Sequence, residues 1–238
     1  MLKGWIKQVP QKFGYELRRA RPIDMDDAFM AIHERAVALG GPSLERNYAL
    51  HSAVQYIVAN NIPGDFVECG VHRGASCAVM ALTLLALGVK DRRIYMYDTY
   101  AGMAEPSEKD VDASNTPARI EWQASQQGDH NQWAYCPLPQ VQANMQALGY
   151  PFERFVFVQG KVEDTIPATV PASISLLRLD TDWYESTWHE LIHLFPRLSQ
   201  RGVLLIDDYG AWKGARDATD KYLAENRIAM FLARVDST

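Results

Sequence analysis

The sequence predicts an α/β fold with a doubly wound, mostly parallel sheet. Short apolar runs alternate with helical patterns over residues 63–238, which is typical of a sheet built through right-handed crossovers. Residues 1–62 carry helical patterns and no strand pattern, so they form an N-terminal helical segment. The length of 238 residues and a hydrophobic content of 47% suit a single domain with one core.

Two helices are predicted in the N-terminal segment. The first covers residues 22–40, with Asp24 as its N-terminal cap. The second covers residues 43–60, because apolar residues recur there at helical spacing. Pro63-Gly64 then ends this segment, since both residues interrupt regular structure.

Five strands are predicted in the core, and each is a short apolar run bounded by turn residues. They cover residues 66–70, 94–98, 155–159, 174–179 and 203–206. Helices are predicted between or after them at 75–87, 185–199 and 214–226.

The segment 99–138 does not follow this alternation. It is polar and rich in Gln, Asp and Glu, with Trp and Tyr interspersed. Loops of this length inside a compact domain are usually functional or disordered. The interspersed aromatic residues favour a lid that orders over a ligand.

The composition excludes several classes of partner. The net charge of −5 argues against a nucleic-acid-binding protein, which would show a basic face. No apolar run reaches the ~18 residues that a membrane span requires, and no signal-peptide core is evident, so a cytoplasmic location is expected. Three cysteines are too few for a disulfide framework. The basic residues near the N-terminus are more typical of a solvated segment; they are Lys3, Lys7, Lys12, Arg18, Arg19 and Arg21.

Paired acids follow the last two predicted strands. Asp180 and Asp182 follow one, and Asp207 and Asp208 follow the other. Neighbouring strands that end this way place three or four carboxylates around one small volume, where two of them ~4 Å apart repel by roughly 4 kcal/mol at an effective dielectric near 20. A single acid after a strand is usually a turn or cap residue. The combination favours a hard divalent cation such as Mg²⁺.

The first strand and its helix are joined by a glycine-containing turn. Gly70 and Gly74 allow backbone N–H groups to approach a ligand, but their spacing is not the dinucleotide fingerprint. Glu68 would repel a pyrophosphate and would tolerate a cationic ligand such as S-adenosylmethionine. Asp98 ends the second strand, where an acid can accept hydrogen bonds from both ribose hydroxyls.

A rival motif lies in the helix predicted at 185–199. His189-Glu190-Leu191-Ile192-His193 matches H-E-x-x-H, in which two His bind zinc and Glu is the base of a protease. Pro196 stands where the extended motif requires Gly. Because this helix is predicted to cover the sheet, a zinc protease is a remote alternative.

Ordered motifs over residues 43–235 resemble the macrocin/mycinamicin-type (TylF-like) O-methyltransferase family. The motifs are Pro63–Val71 with Arg73-Gly74, Tyr97–Met103, Gln159–Pro167, Leu179–Thr187 and Ile206–Gly210. The resemblance implies a class I, Rossmann-like methyltransferase that uses S-adenosylmethionine and Mg²⁺ to methylate sugar hydroxyls on natural products.

The resemblance also implies roles for particular residues. Three acids, Asp180, Asp207 and Asp208, would hold the metal, and Asp182 would be the general base on the acceptor hydroxyl. The methyl donor would be contacted by Glu68, Gly70, Asp98 and Ser76.

The sequence departs from the family pattern in two places. His72 and the Tyr97–Tyr100 run replace the usual residue types, which changes the pocket and not the cofactor chemistry. The strand that usually ends the family's sheet is either missing or formed by Met230–Val235 as an exposed edge.

The expected function is therefore a metal-dependent O-methyltransferase that modifies a sugar or polyol in natural-product or glycan tailoring. A catechol-type phenolic O-methyltransferase is the alternative within catalysis, since it uses the same metal chemistry. A non-catalytic S-adenosylmethionine-binding protein is the alternative of another class. The expected partner is a small-molecule hydroxyl acceptor, with no nucleic acid or membrane and with a homo-oligomer as an open possibility.

Overall fold

The computed structural model describes residues 22–237. The basic residues near the N-terminus, which the sequence assigns to a solvated segment, lie outside this range. No helix within the described range is long and apolar enough to cross a membrane.

The described chain alternates helices and strands after an initial helical pair. The helices are α1 Asp27–Ala38, α2 Leu44–Ala59, α3 Ala75–Ala86, α4 Ala118–Ala124, α5 Leu138–Gln146, α6 Val162–Thr165, α7 Tyr184–Leu194 and α8 Lys213–Glu225. The strands are β1 Asp65–Cys69, β2 Ile94–Asp98, β3 Gln126–Gln127, β4 His130–Asn131, β5 Phe155–Gln159, β6 Ile174–Leu179 and β7 Leu198–Ile206. Short 3₁₀ turns occupy Phe152–Arg154 and Phe195–Arg197.

The main sheet has five strands in the order β5-β2-β1-β6-β7, and every pair is parallel. This confirms the predicted doubly wound sheet. The strand order reverses beside β1, so the connections that leave β1 and β6 run in opposite directions and a crevice is expected at the carboxyl ends of these two strands. Cys69 pairs with both Tyr97 and Leu179, and Leu179 pairs with Ile206. The residues after these four strands therefore emerge together at one edge.

Helices cover both faces of the sheet, and alternate strand residues supply the two cores. Phe66 packs on the face of the sheet that α1, α2 and α3 cover. Val67 packs on the other face with Leu191 of α7. Because both faces are buried, the strands are almost continuously apolar. That is why the sequence alone located them.

Two helix boundaries differ from the prediction by five residues, namely the start of α1 and the end of α7, and the other boundaries differ by two residues or fewer. The cap of α1 is Asp26, whose Oδ1 accepts a hydrogen bond from the Phe29 N–H at 2.8 Å. Asp24 lies in the preceding turn and is not the cap. Helix α7 ends at Leu194 and not at residue 199, because Pro196 cannot continue the α-helical hydrogen bonding.

The strand β7 begins five residues earlier than the predicted 203–206, at Leu198. The first half of β7 was not predicted, because residues 199–202 are polar or glycine and give no apolar run. The pairing with β6 shifts register there, from Ile174 with Leu198 to Leu176 with Val203. A bulge of this kind breaks the apolar pattern on which the prediction relied.

The predicted lid is a folded part of the domain. It contains helix α4 and the β3–β4 hairpin, and the chain then enters α5, which the sequence did not indicate. Trp122 Nε1 donates to the Met103 carbonyl at 2.9 Å, and the Tyr184 N–H at the start of α7 donates to Asp110 Oδ1 at 2.7 Å. The segment is thus fastened to the edge of the sheet where the strands end.

The C-terminal residues form no further strand within the described range. Met230–Val235 pair with no strand. Phe231 in this segment is 89% exposed. The segment returns to α2, where the Asp236 carboxylate accepts from the Ser43 hydroxyl at 2.7 Å and pairs with Arg46 at 3.1 Å. The exposed-edge alternative for Met230–Val235 is therefore wrong, because these residues form no strand and β7 is the last strand on that side of the described sheet.

Candidate active site

A cavity of about 200 Å³ opens at the carboxyl edge of the sheet. The turns after β1, β2, β5 and β6 surround it, as the topology requires. Its lining includes Gly70, His72, Asp98, Gly160, Asp180 and Asp182. Three residues predicted from separate motifs, namely Gly70, Asp98 and Asp182, thus meet at one place.

Gly70 allows the turns after β1 and β6 to touch. Its φ is +85°, and a Cβ added there would overlap the Asp180 carbonyl oxygen. The Asp180 N–H also donates to the Cys69 carbonyl at 2.9 Å. Glycine is required because the conformation and the available space both exclude a side chain.

Asp98 organises the glycine turn as well as bordering the cavity. Its Oδ2 accepts from the N–H groups of Val71 and His72, both at 2.8 Å, and its Oδ1 accepts from Tyr100 N–H at 2.7 Å. Burial raises the pKa of Asp98, and these backbone bonds oppose that rise. The Thr99 hydroxyl also lies 3.4 Å from Oδ1, but its one proton has a much shorter bond to the Gly102 carbonyl at 2.6 Å. A carboxylate has about four acceptor positions, so a ligand hydroxyl can still be bound.

The three acids predicted as metal ligands lie together. Asp180, Asp207 and Asp208 each offer a carboxylate oxygen, and these oxygens lie within 4.8 Å of one another. Asp208 Oδ2 is buried and has no hydrogen-bond partner in the described part of the chain. An unpaired buried oxygen is costly, and a cation among these carboxylates would satisfy it. The donor set therefore fits a hard divalent metal.

Two arginines, which the sequence reasoning missed, also bind this cluster. Arg178 is buried and donates to Glu68 at 2.7 Å, to Asp180 at 2.6 Å and to Asp207 at 2.5 Å. Arg46 of α2 pairs with the other oxygen of Asp207 at 2.5 Å. A charged residue inside the apolar run of β6 was a signal for Arg178, whereas Arg46 has no local signal.

The acids of the site differ in the direction in which their surroundings shift the pKa. Although burial opposes it, Arg178 and Arg46 hold the pKa of Asp207 below its ordinary value. Burial and the adjacent Asp182 raise the pKa of Asp208 well above its ordinary value. Burial raises the pKa of Asp182 to about 7.

Asp182 also has an unusual backbone conformation. Its φ is +67°, which is uncommon for a residue other than glycine. Such a conformation persists only where the surrounding structure holds it, and it occurs often at functional sites. It turns the chain sharply between β6 and α7.

Two predicted donor contacts lie away from the cavity lining. Glu68 is 1% exposed, and its carboxylate accepts from Arg178 and from the Cys77 thiol at 2.7 Å. Ser76 lines a second cavity of about 350 Å³, between α2, β7 and the C-terminal segment. Contact of either residue with the methyl donor stays a prediction.

The H-E-x-x-H motif does not form a metal site within the described range. His189 and His193 have ring centroids 4.4 Å apart, but Glu190 between them is fully buried and bonds to Thr181. The described acids and histidines that could share a metal are the three aspartates, not this motif.

Comparison with known proteins places the chain among methyltransferases. Residues 10–238 match the family described as Macrocin-O-methyltransferase (TylF). The chain is 34% identical over 215 residues to an 8-demethyl-8-(2,3-dimethoxy-alpha-L-rhamnosyl)-tetracenomycin-C 4'-O-methyltransferase of Streptomyces olivaceus, with 90% of this chain and 79% of the relative covered. It is 29% identical to the Mycinamicin III 3''-O-methyltransferase of Micromonospora griseorubida, with 81% and 73% covered.

Solved structures agree with this placement. The O-methyltransferase NovP matches with a TM-score of 0.71 and 30% identity, over 82% of this chain and 77% of NovP. The calicheamicin methyltransferase CalS11 matches with a TM-score of 0.60 over 92% of this chain and 95% of CalS11. At 17% identity, the second likeness supports the fold alone.

Proposed function

Because this chain belongs to the macrocin O-methyltransferase family, we propose that it transfers a methyl group from S-adenosylmethionine to a sugar hydroxyl of a natural product, with the help of a divalent metal such as Mg²⁺. The names of two relatives support this acceptor class. One acts on a rhamnosyl tetracenomycin and the other on mycinamicin III.

Metal dependence is proposed because Asp180, Asp207 and Asp208 lie together and one oxygen of Asp208 has no hydrogen-bond partner among the described residues. A divalent cation bound there would supply a Lewis acid that lowers the cost of removing the acceptor's proton. The three acids would hold this cation through oxygen ligands, which Mg²⁺ prefers.

Asp182 is the proposed general base. It borders the cavity together with Asp180, and it is not one of the three carboxylates that converge. A base must reach the acceptor's proton directly or through one water, and it works best with a pKa near the working pH. The pKa of about 7 meets that condition in the free protein.

The remaining residues of the site align the two substrates. Gly70 and Asp98 shape the pocket proposed for the methyl donor, and the lid over residues 99–138 is proposed to cover the acceptor. The sulfonium of the donor is already electrophilic, so the protein's contribution is alignment and proton removal. Trp133 of the lid packs against Trp183, next to the proposed base, with ring centroids 5.6 Å apart.

The proposal is tested by methyl transfer from labelled S-adenosylmethionine to a rhamnosylated aglycone and to a catechol, each with Mg²⁺ or with excess EDTA. The expected result is labelled sugar with Mg²⁺ and none with EDTA. Asp208→Asn should abolish this turnover and still bind S-adenosylhomocysteine in calorimetry. Asp91→Asn, at an exposed loop position, is the matched control and should behave like wild type.

Three outcomes would contradict parts of the proposal. Full activity in excess EDTA would remove the metal. Labelling of the catechol alone would replace the sugar by a phenolic acceptor. Binding of S-adenosylhomocysteine without transfer to any acceptor would favour a non-catalytic binding protein.

A further inference from the structure

Glu190 is a buried carboxyl group that the mechanism above does not use. It lies in α7 and is 0% exposed. Its Oε1 accepts a hydrogen bond from the Thr181 hydroxyl at 2.9 Å, and its Oε2 is buried without a hydrogen-bond partner in the described part of the chain. Burial raises the pKa of Glu190 well above its ordinary value.

The partner of Glu190 lies in the turn that carries the proposed base. Thr181 stands between Asp180, a proposed metal ligand, and Asp182. Its carbonyl accepts from the Trp183 N–H at 2.7 Å, and its hydroxyl reaches Glu190. Because Asp182 has a φ of +67°, the turn must be held by its surroundings. The Thr181–Glu190 bond fastens this turn to the underlying helix.

Glu190 also lies next to the end of β1. Burial and the nearby Glu190 carboxyl raise the pKa of the thiol of Cys69, the residue before Gly70. Gly70 in turn packs directly on the Asp180 carbonyl. One side chain therefore lies beneath both the turn proposed to face the methyl donor and the turn that bears the base.

Stability alone does not explain a carboxyl group at this place. The neighbouring residues Leu191 and Leu194 show that α7 packs apolar side chains into the same core. A buried polar group with one unpaired oxygen destabilises a fold relative to an apolar side chain of similar size. A positional role for Glu190 accounts for both its burial and its bond to Thr181.

We infer that Glu190 is a positioning residue, which holds the Thr181 hydroxyl so that Asp182 is fixed in its productive conformation. This role rests on the function proposed above, since it acts through Asp182. A displacement of a reacting group by about 1 Å can cost on the order of 10²-fold in rate. The Glu190 carboxyl is fully buried and does not line the cavity, so its loss should lower turnover and spare binding.

The test compares Glu190→Leu, Glu190→Gln, Thr181→Val and the Glu190→Leu/Thr181→Val double variant. Glu190→Leu and Thr181→Val should each lower kcat by roughly 10–100-fold, with KM for the acceptor and Kd for S-adenosylhomocysteine within about threefold of wild type. The double variant should be no slower than the poorer single variant, because both changes remove the same bond. Glu190→Gln should restore most of the turnover, since its amide oxygen still accepts from Thr181.

Thr219→Val is the matched control. It deletes another fully buried threonine hydroxyl, which donates to the Ala215 carbonyl at 2.8 Å within α8, and it should keep the wild-type kcat. Hydrogen exchange at the Trp183 amide gives a second readout that does not depend on turnover. This exchange should be faster in Glu190→Leu and Thr181→Val than in wild type and Thr219→Val.

Several results would overturn the role of Glu190. These are a wild-type kcat in Glu190→Leu, additive losses in the double variant, a Glu190→Gln protein as slow as Glu190→Leu, or an equal loss in Thr219→Val. If the wild-type protein transfers no methyl group, the proposed function fails. Exchange at Trp183 then decides the Glu190 inference alone, and an unchanged rate rejects it.

Discussion

At the scale of single residues, the acids at the strand ends differ through their contacts. Asp207 is held by two guanidinium groups, whereas Asp208 has an oxygen that no described group satisfies. Asp182 has a strained backbone and a pKa raised to about 7. Four carboxylates of similar sequence context can therefore perform different tasks.

Asp182→Asn tests the proposed base. The substitution keeps the size of the side chain and removes its basicity, so turnover should fall by roughly 10²–10⁴. Calorimetry should show affinities for S-adenosylhomocysteine and Mg²⁺ close to wild type. Normal turnover would place the base elsewhere, and a loss of Mg²⁺ binding would make Asp182 a ligand.

Asp98→Asn tests the donor-binding acid. Asp98 supports three backbone N–H groups, so its loss should lower the melting temperature of the free protein as well as the affinity for S-adenosylhomocysteine. The expected loss of binding free energy is about 1.5–3 kcal/mol, the range for a hydrogen bond to a charged group. Calorimetry and thermal unfolding measure the two effects separately.

Asp65→Asn is the matched control for Asp98→Asn. Asp65 also accepts from a backbone N–H, that of Arg93 at 3.2 Å, but it lies at the opposite end of β1. It should leave the affinity for S-adenosylhomocysteine unchanged. Equal affinities for wild type and Asp98→Asn would remove Asp98 from the donor site.

At the scale of elements, the structure of the lid depends on the close approach of Gly102 to Asn131. Gly102 has a φ of +85°, and a Cβ there would overlap the Asn131 carbonyl oxygen of the β3–β4 hairpin. Gly102→Ala should therefore loosen the hairpin and speed hydrogen exchange at the Asn131 amide, which donates to Ala101 at 2.8 Å. Exchange measured by mass spectrometry over residues 100–135 checks this.

Gly128→Ala provides the comparison within the same lid. Gly128 also has a positive φ, +57°, but a Cβ there meets nothing within 4 Å. Hydrogen exchange over residues 100–135 in Gly128→Ala should stay much closer to the wild-type rate. If both variants exchange alike, backbone strain and not the contact with Asn131 holds the hairpin.

At the scale of the whole molecule, stability should depend on pH through buried histidine. His51 of α2 is 7% exposed, and its Nδ1 lies 2.9 Å from the Thr83 hydroxyl of α3. Burial lowers the pKa of His51 below its ordinary value of 6.5. Below that value the unfolded chain binds more protons than the folded one, so its contribution to stability is present above pH ~6.5 and is lost as the pH falls.

Buried carboxyl groups with a raised pKa, such as Asp182, change stability in the opposite direction over this range, so the His51 contribution is read as a difference between proteins. The free energy of unfolding of wild type minus that of His51→Gln should fall as the pH is lowered from about 7 to 5, so the two proteins should differ in slope. Denaturant unfolding across this pH range measures it. Gln55→Ala changes an exposed neutral residue on the same helix and should keep the wild-type slope. An unchanged slope in His51→Gln would assign the pH dependence to other groups, among them His33, whose pKa burial also lowers.

The strands of the sheet and the acids at their ends could be recognised from the amino-acid sequence. The five strands were recognisable because each contains a short run of apolar residues, and these residues are most deeply buried in β1, β2 and β6. Asp180, Asp207 and Asp208 were predicted to lie together because the carboxyl ends of parallel strands meet at one edge of a sheet, and the structure places them there. Burial patterns and strand ends are properties of short segments, so the order of residues is sufficient to reveal them.

The groups that bind those acids come from distant parts of the chain and were identified from the folded structure. The Arg178–Glu68 pair spans 110 residues of sequence, and the Arg46–Asp207 pair spans 161. The backbone bonds of Asp98 and the burial of Glu190 beside Thr181 likewise depend on how distant segments pack. Side-chain contacts between remote segments arise from three-dimensional packing, and no local periodicity or spacing encodes them.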